Sequence, residues 1–168
     1  MSIGTVRQFE SSLSELGVHL RRTDAADFVV TIDEVVTEPA VGVPFETDEF
    51  SLEETVVETP PTPRRLKTAE TGVTPARAAI GKYGTLVLES DAAGTEPVSL
   101  YPPSHVAVVC ESDVVTDIES ISEYLADHFA TGGSAIFATG VSSTGDMGAL
   151  VEGVHGPKYV TVVLVTDR

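Results

Sequence analysis

The chain has almost no sulfur and little positive charge, and each shortage excludes a class of chemistry. Cys110 is the only cysteine in 168 residues. It cannot form an intramolecular disulfide, and it cannot supply the four thiolates that an iron–sulfur cluster normally takes. Any redox centre must then belong to another chain. Tryptophan is absent, and lysine occurs only as Lys67, Lys82 and Lys158. Ten basic against 26 acidic side chains leave a formal net charge of −16, a surface that repels nucleic acid and anionic membranes. No apolar run approaches the roughly 20 residues needed to span a bilayer. The opening MSIGTVRQFESSLSELG has no apolar segment behind a basic start, so the expected location is cytoplasmic.

What is present in place of basic residues is acidity spread through the whole chain rather than gathered in a tail. That pattern points to a protein adapted to high salt, because at molar ionic strength the Debye length falls to about 3 Å and self-repulsion is largely screened. A chain of this length fits one domain and can bury roughly 70% of its unfolded surface, enough for a core without staples.

Hydrophobic spacing supplies the elements. Val6, Phe9, Leu13 and Leu16 follow a helical period that stops at Gly17, and a short strand is expected over 18–21. Thr23 and Asp24 can cap a helix carrying Phe28, Ile32 and Val35, with Pro39 just beyond it. Residues 43–65 hold four prolines and many carboxylates and read as mostly loop around one apolar pair, Val56-Val57, with room for one short strand. Thr74-Pro75 reads as N-cap and first residue of a short helix through Ile80, ended by Gly84. Strands are expected over 85–89, 105–110, 134–139 and 159–165, those at 105–110 and 134–139 of the buried type, with Val98-Ser99-Leu100 pairing back on the first as a hairpin. Asp117 can cap a helix carrying Ile118, Ile121, Leu125 and Phe129, ended by Gly132-Gly133. The alternation predicts an α/β fold with a mainly parallel sheet flanked by helices on both faces and an antiparallel hairpin inserted.

The segments that can carry chemistry are Gly140-Val141-Ser142-Ser143-Thr144-Gly145-Asp146 and Gly153-Val154-His155-Gly156-Pro157. The first follows a predicted strand, and in doubly wound sheets ligands bind beyond the strands' carboxyl ends. Gly140, Gly153 and Gly156 allow close backbone approach, while Ser142, Ser143 and Thr144 offer hydroxyls to a carboxylate or phosphate. His155 is the candidate general acid/base, with Asp146 fixing its tautomer if the loops meet. The bland reading of the same residues is that they hydrogen-bond their own loops. His19, His105, His128 and His155 are too scattered for a metal site, and Cys110 reads as a small buried hydrophobe.

At these residues the chain resembles the LUD-domain family, in its lactate utilisation protein C type. That family's pattern G-P-S-R-T-A-D-I-E, followed by G-V-H-G-P, is matched at Gly140, Ser142, Thr144 and Asp146 and then from Gly153 to Pro157. Its A-I-A-E-T-G-T passage is matched at Ala79, Ile80, Gly84 and Thr85, which adds Thr85 to the candidate ligand-binding residues, and its S-L-L-P-x-x-H-V passage resembles Ser99 to Val106. The likeness is strongest over 72–168, with 1–71 read as the N-terminal part of the same single domain and part of the relatives' helical N-terminal region missing. The motif arginine is replaced by Ser143, which cannot make a bidentate clamp.

The resemblance implies a fold similar to the NagB, ribose-5-phosphate isomerase and CoA-transferase group. It also implies a place in L-lactate oxidation to pyruvate, as an accessory chain that binds no cofactor and works beside iron–sulfur subunits. Two alternatives stand next to it. One is an independent enzyme acting on a small phosphorylated or acyl-CoA substrate. The other is a module that binds or senses a carboxylate metabolite.

Overall fold

The structure, a computed structural model, describes residues 3–45, 47–146 and 148–166; the side chains of Ile3 and Asp146 are also outside it. Five strands, β1 (His19–Thr23), β2 (Ala40–Gly42), β3 (Thr71–Pro75), β6 (Ser104–Cys110) and β11 (Tyr159–Val165), form a wholly parallel sheet in the order β1-β11-β6-β3-β2. A second sheet, ordered β7-β4-β5-β8, contains β4 (Ala78–Ile80), β5 (Thr85–Ser90), β7 (Val114–Val115) and β8 (Ser134–Thr139). In it β5 runs antiparallel to both β4 and β8. A separate hairpin pairs β9 (Ser143–Asp146) with β10 (Ala149–Glu152). The helices are α1 (Ile3–Glu15), α2 (Phe28–Val35), α3 (Pro63–Thr68), α4 (Thr95–Leu100) and α5 (Ser122–Ala130).

Alternation along the central strands divides the core. On β6 and β11, Val106, Val108, Val163 and Val165 face Phe28 and Ile32 of α2. Their neighbours Ala107, Val109, Val162 and Leu164 face the other way, against Val6, Phe9 and Leu13 of α1 and Leu86 and Leu88 of β5. The second sheet's outer face, with Ala78, Ile80 and Val87, is closed by Ile121 and Leu125. The layers are therefore helix, parallel sheet, mixed sheet, helix, and burial on both faces explains the nearly continuous apolar runs of β6 and β11.

The α/β class, the parallel sheet and the first two helices agree with the sequence reading, and Gly17 stops α1 at φ +69°. Four local expectations are corrected. Residues 74–80 are two strand segments rather than a helix, because Thr74 and Pro75 pair in register with Ala107 and Val108 while Ala78–Ile80 pairs with β5. The segment 98–100 is helical, because Asp91 accepts hydrogen bonds from the N–H groups of Gly94 and Thr95 and starts α4 there. The loop 43–65 ends in α3, begun by Pro63 and capped by Thr62, whose hydroxyl accepts from the Arg65 N–H. β8 is an edge strand with its side chains partly exposed, not a buried one.

Candidate functional site

The two glycine-rich segments meet at Ser142. Gly140 turns the chain out of β8 at φ +73°. The Ser142 N–H then donates to the Pro157 carbonyl at 2.9 Å, and the Ser142 carbonyl accepts from the Gly153 N–H at 2.8 Å. Gly156 packs so closely that a Cβ there would lie 2.8 Å from Ser142 Cβ. Ser143 and Thr144 are strand residues of β9, and Asp146, opposite Ala149, closes that strand at the hairpin's tip, whereas Ser143 opposite Glu152 is at its base. The Asp146 side chain lies outside the described residues. Thr85 is buried and shares a 2.7 Å hydrogen bond with Thr139, tying β5 to β8.

This junction is on the opposite edge of the parallel sheet from the one expected. Lys158 and Tyr159 both donate their N–H groups to the Pro103 carbonyl, so the junction adjoins the amino ends of β6 and β11. The preceding strand, β8, belongs to the second sheet, and its carboxyl end is not a carboxyl end of the parallel one.

Two concavities open at the junction. An outer groove of about 410 Å³ is lined by Pro97, Leu100, Tyr101, Val154 and the exposed His155. An inner cavity of about 150 Å³ is lined by Ser99, Leu100, His105, Gly140 and Ser142, among mostly apolar neighbours. His105, absent from the candidate residues read in the sequence, is 2% exposed. Its Nε2 is 2.8 Å from Thr74 Oγ1, and burial lowers its pKa to about 4, so it is neutral at pH 7. The signal in the sequence was its place between Pro103 and an apolar strand.

The carboxyl edge carries a larger cleft, about 630 Å³, past the ends of β2, β3 and β6. Phe45 and Phe50 stand on one side and Arg77, Glu89 and Tyr124 are among its polar lining. The Arg77 guanidinium carbon lies 4.5 Å from the Tyr124 ring centroid, a cation–π contact. The Tyr124 hydroxyl donates to Glu89 Oε1, and His128 Nδ1 is 3.7 Å from the same oxygen. The Arg77 pKa is raised, first by its hydrogen bond to Tyr124 and further by the charges of Asp113 and Glu89. Burial raises the Tyr124 hydroxyl, with the Glu89 hydrogen bond adding to it, and burial raises the Asp113 carboxyl against the opposing pull of Arg77. Three groups with shifted pKa values thus share one cleft at the strand carboxyl ends, each perturbed by burial or by its neighbours in that cleft. Cys110 lines this cleft and is only partly buried, which corrects its reading as a core residue. Arg77 escaped the sequence reading because 74–80 was expected to be helical.

A parallel sheet with a mixed sheet packed on it, and concavities at both strand edges, defines a layered α/β architecture. The chain belongs to the LUD domain family, whose model matches residues 9–165. It is similar to lactate utilization protein C of Deinococcus radiodurans, at 29% identity over 168 residues that cover 95% of this chain and 79% of that one. The proteins of the same name from Geobacillus sp. and Bacillus subtilis are each 33% identical, over 60% and 62% of this chain. The chain spans less than half the length of these two, 44% and 46%. The fold is also that of a solved DUF162 family protein from Deinococcus radiodurans, with a TM-score of 0.75 at 23% identity, covering 98% of this chain and 99% of that one.

Proposed function

We propose that this LUD protein is an accessory component of L-lactate oxidation to pyruvate that holds no iron–sulfur cluster and works beside iron–sulfur subunits. The observation that carries this reading is its likeness, along 95% of its length, to a protein named lactate utilization protein C. The single cysteine is consistent with cluster chemistry residing in a partner. The β9–β10 hairpin offers a contact surface: β10 is exposed throughout, with Leu150 73% accessible, and Val154 follows at 54%. Affinity capture in molar KCl followed by mass spectrometry tests it. Cysteine-rich partners are expected, and they should be lost when Leu150 and Val154 are both changed to Asp. Capture of no such partner overturns the reading.

A second reading is an independent enzyme or binding module for a small carboxylate, phosphorylated or acyl-CoA metabolite. It is favoured by Arg77, a guanidinium in the carboxyl-edge cleft able to hold an anion. A separate, amino-edge candidate for the same reading is the acid/base pair Asp146 and His155, with Gly140, Ser142, Ser143, Thr144, Gly153, Gly156 and Thr85 as ligand-binding residues. Turnover by the isolated protein, lost in His155→Ala with the fold intact, would establish it over the first.

A further inference from the structure

We propose that the inner cavity at the amino edge of the parallel sheet binds a short-chain carboxylate of three or four carbons, with the carboxylate on His105 Nδ1. In ligand class this rests on the lactate-utilisation reading; the site itself rests on geometry. His105 Nε2 is engaged by Thr74, whereas Nδ1 has no hydrogen-bond partner among the described residues. No fully enclosed side-chain nitrogen or oxygen among them lacks a partner, so Nδ1 keeps access to the cavity that His105 lines. A 98% buried imidazole with one nitrogen turned to a cavity presents a single polar group to whatever enters it.

The cavity's size and walls select the class. About 150 Å³ is the volume of an apolar cavity that accepts benzene, which suits a molecule of about six heavy atoms. Leu88, Ile136, Ala138, Val141 and Val160 supply apolar walls, leaving room for a short hydrocarbon body but not for a sugar phosphate. Leu100 lines both this cavity and the outer groove, so it stands between the ligand and solvent.

No charged side chain among the described residues faces His105. Thr74 of β3, Ser99 and Leu100 of α4, Leu88 of β5, Thr139 of β8, Ser142 beyond β8, and Val160 of β11 surround it. An anion buried without a counter-charge is costly, so the carboxylate enters together with one proton from solvent. In the bound state the imidazolium donates Nε2–H to Thr74 Oγ1 and Nδ1–H to the carboxylate. Burial accounts for the low proton affinity of the empty site, and a bound carboxylate reverses it.

Isothermal titration of the full chain in molar KCl with propionate, L-lactate and pyruvate, and with inorganic phosphate as control, tests this in buffers of different ionisation enthalpy. The carboxylates should bind with uptake approaching one proton, Kd should rise about tenfold from about pH 6 to about pH 7, and the ring nitrogen signals of His105 should move. Leu100→Trp, a change at a partly exposed position, should abolish binding while the far-ultraviolet spectrum stays native. Absence of binding, heats independent of buffer, equal binding of phosphate, or unaltered binding by Leu100→Trp would each overturn the proposal. Binding without capture of an iron–sulfur partner would sink the accessory-subunit reading and leave this site standing, and capture without binding would do the reverse.

Discussion

His105 enters the folded state without its proton, while in the unfolded chain it titrates near the ordinary value of 6.5. Between pH 6.5 and about 4 the unfolded chain therefore binds more protons at this residue than the folded one. Its contribution is fully present above pH 6.5 and is lost as pH falls through that window, by roughly 3 kcal/mol at the acid end. His105→Gln should flatten the fall in denaturation midpoint over that range when compared with the wild type. A variant with an unchanged pH slope would mean that the imidazole is protonated in place. At the other edge of the sheet, Arg77→Gln removes a cation–π contact worth about 0.5 to 1 kcal/mol at an exposed position. Its midpoint should move little, whereas any anion bound in the carboxyl-edge cleft should be lost, as read by titration with the same ligand.

Among the elements, α4 lies on the parallel sheet so closely that a Cβ on Gly72 would come within 2.0 Å of the Val98 carbonyl oxygen. Backbone on that side cannot rotate away as a side chain could. Gly72→Ala should therefore cost at least the roughly 3 kcal/mol at the upper end of overpacking, and urea unfolding measures it. A cost below about 1 kcal/mol would mean that α4 can slide. The same region shows where sequence reading stops. Thr62-Pro63 and Thr74-Pro75 are the same dipeptide, yet the first starts α3 and the second ends β3. Straight-chain Arg64, Arg65, Leu66 and Lys67 favour helix after the first. After the second, Ala78 and Ile80 face α5 while Ala79 faces α1, and burial on both sides erases the alternation that would announce a strand. The amphipathic stripe of α1 was legible because one period dominates it. β6 and β11 were legible because each is a seven-residue, valine-rich run, long enough to read as a buried strand where the three residues of 78–80 are not. The meeting of Ser142 with Gly153 and Gly156 was legible as two glycine-rich segments. That it adjoins the amino edge was not, because strand order across two sheets leaves no local trace, and Arg77 was hidden by the same misread segment.

For the molecule as a whole, the net charge of −16 makes self-repulsion the interaction on which salt should act most. Few cations are available to offset it, and Arg22 already bridges two carboxylates, Glu10 and Glu111. In dilute buffer the Debye length reaches about 10 Å or more and like charges repel across the surface, whereas in molar salt it is about 3 Å. The thermal midpoint should rise strongly from dilute buffer to molar KCl, and an unchanged midpoint would remove the high-salt reading.

The strand order also imposes a timetable on synthesis. β1 is an edge strand whose only neighbour in the sheet, among the described residues, is β11, with His19 opposite Thr161 and Thr23 opposite Val165. A ribosome makes β1 among the first elements and must then translate nearly all the rest of the domain before the partner exists. Until then the backbone groups of 19–23 have only water to satisfy them, and Val18 and α1 have no Val162 or Leu164 to pack against. A nascent chain halted at Pro157 should accordingly leave its first 23 residues open to protease, while the same residues are protected once 159–165 has emerged. Speed of elongation through the last tenth of the domain, rather than through its beginning, should decide how much of the product folds.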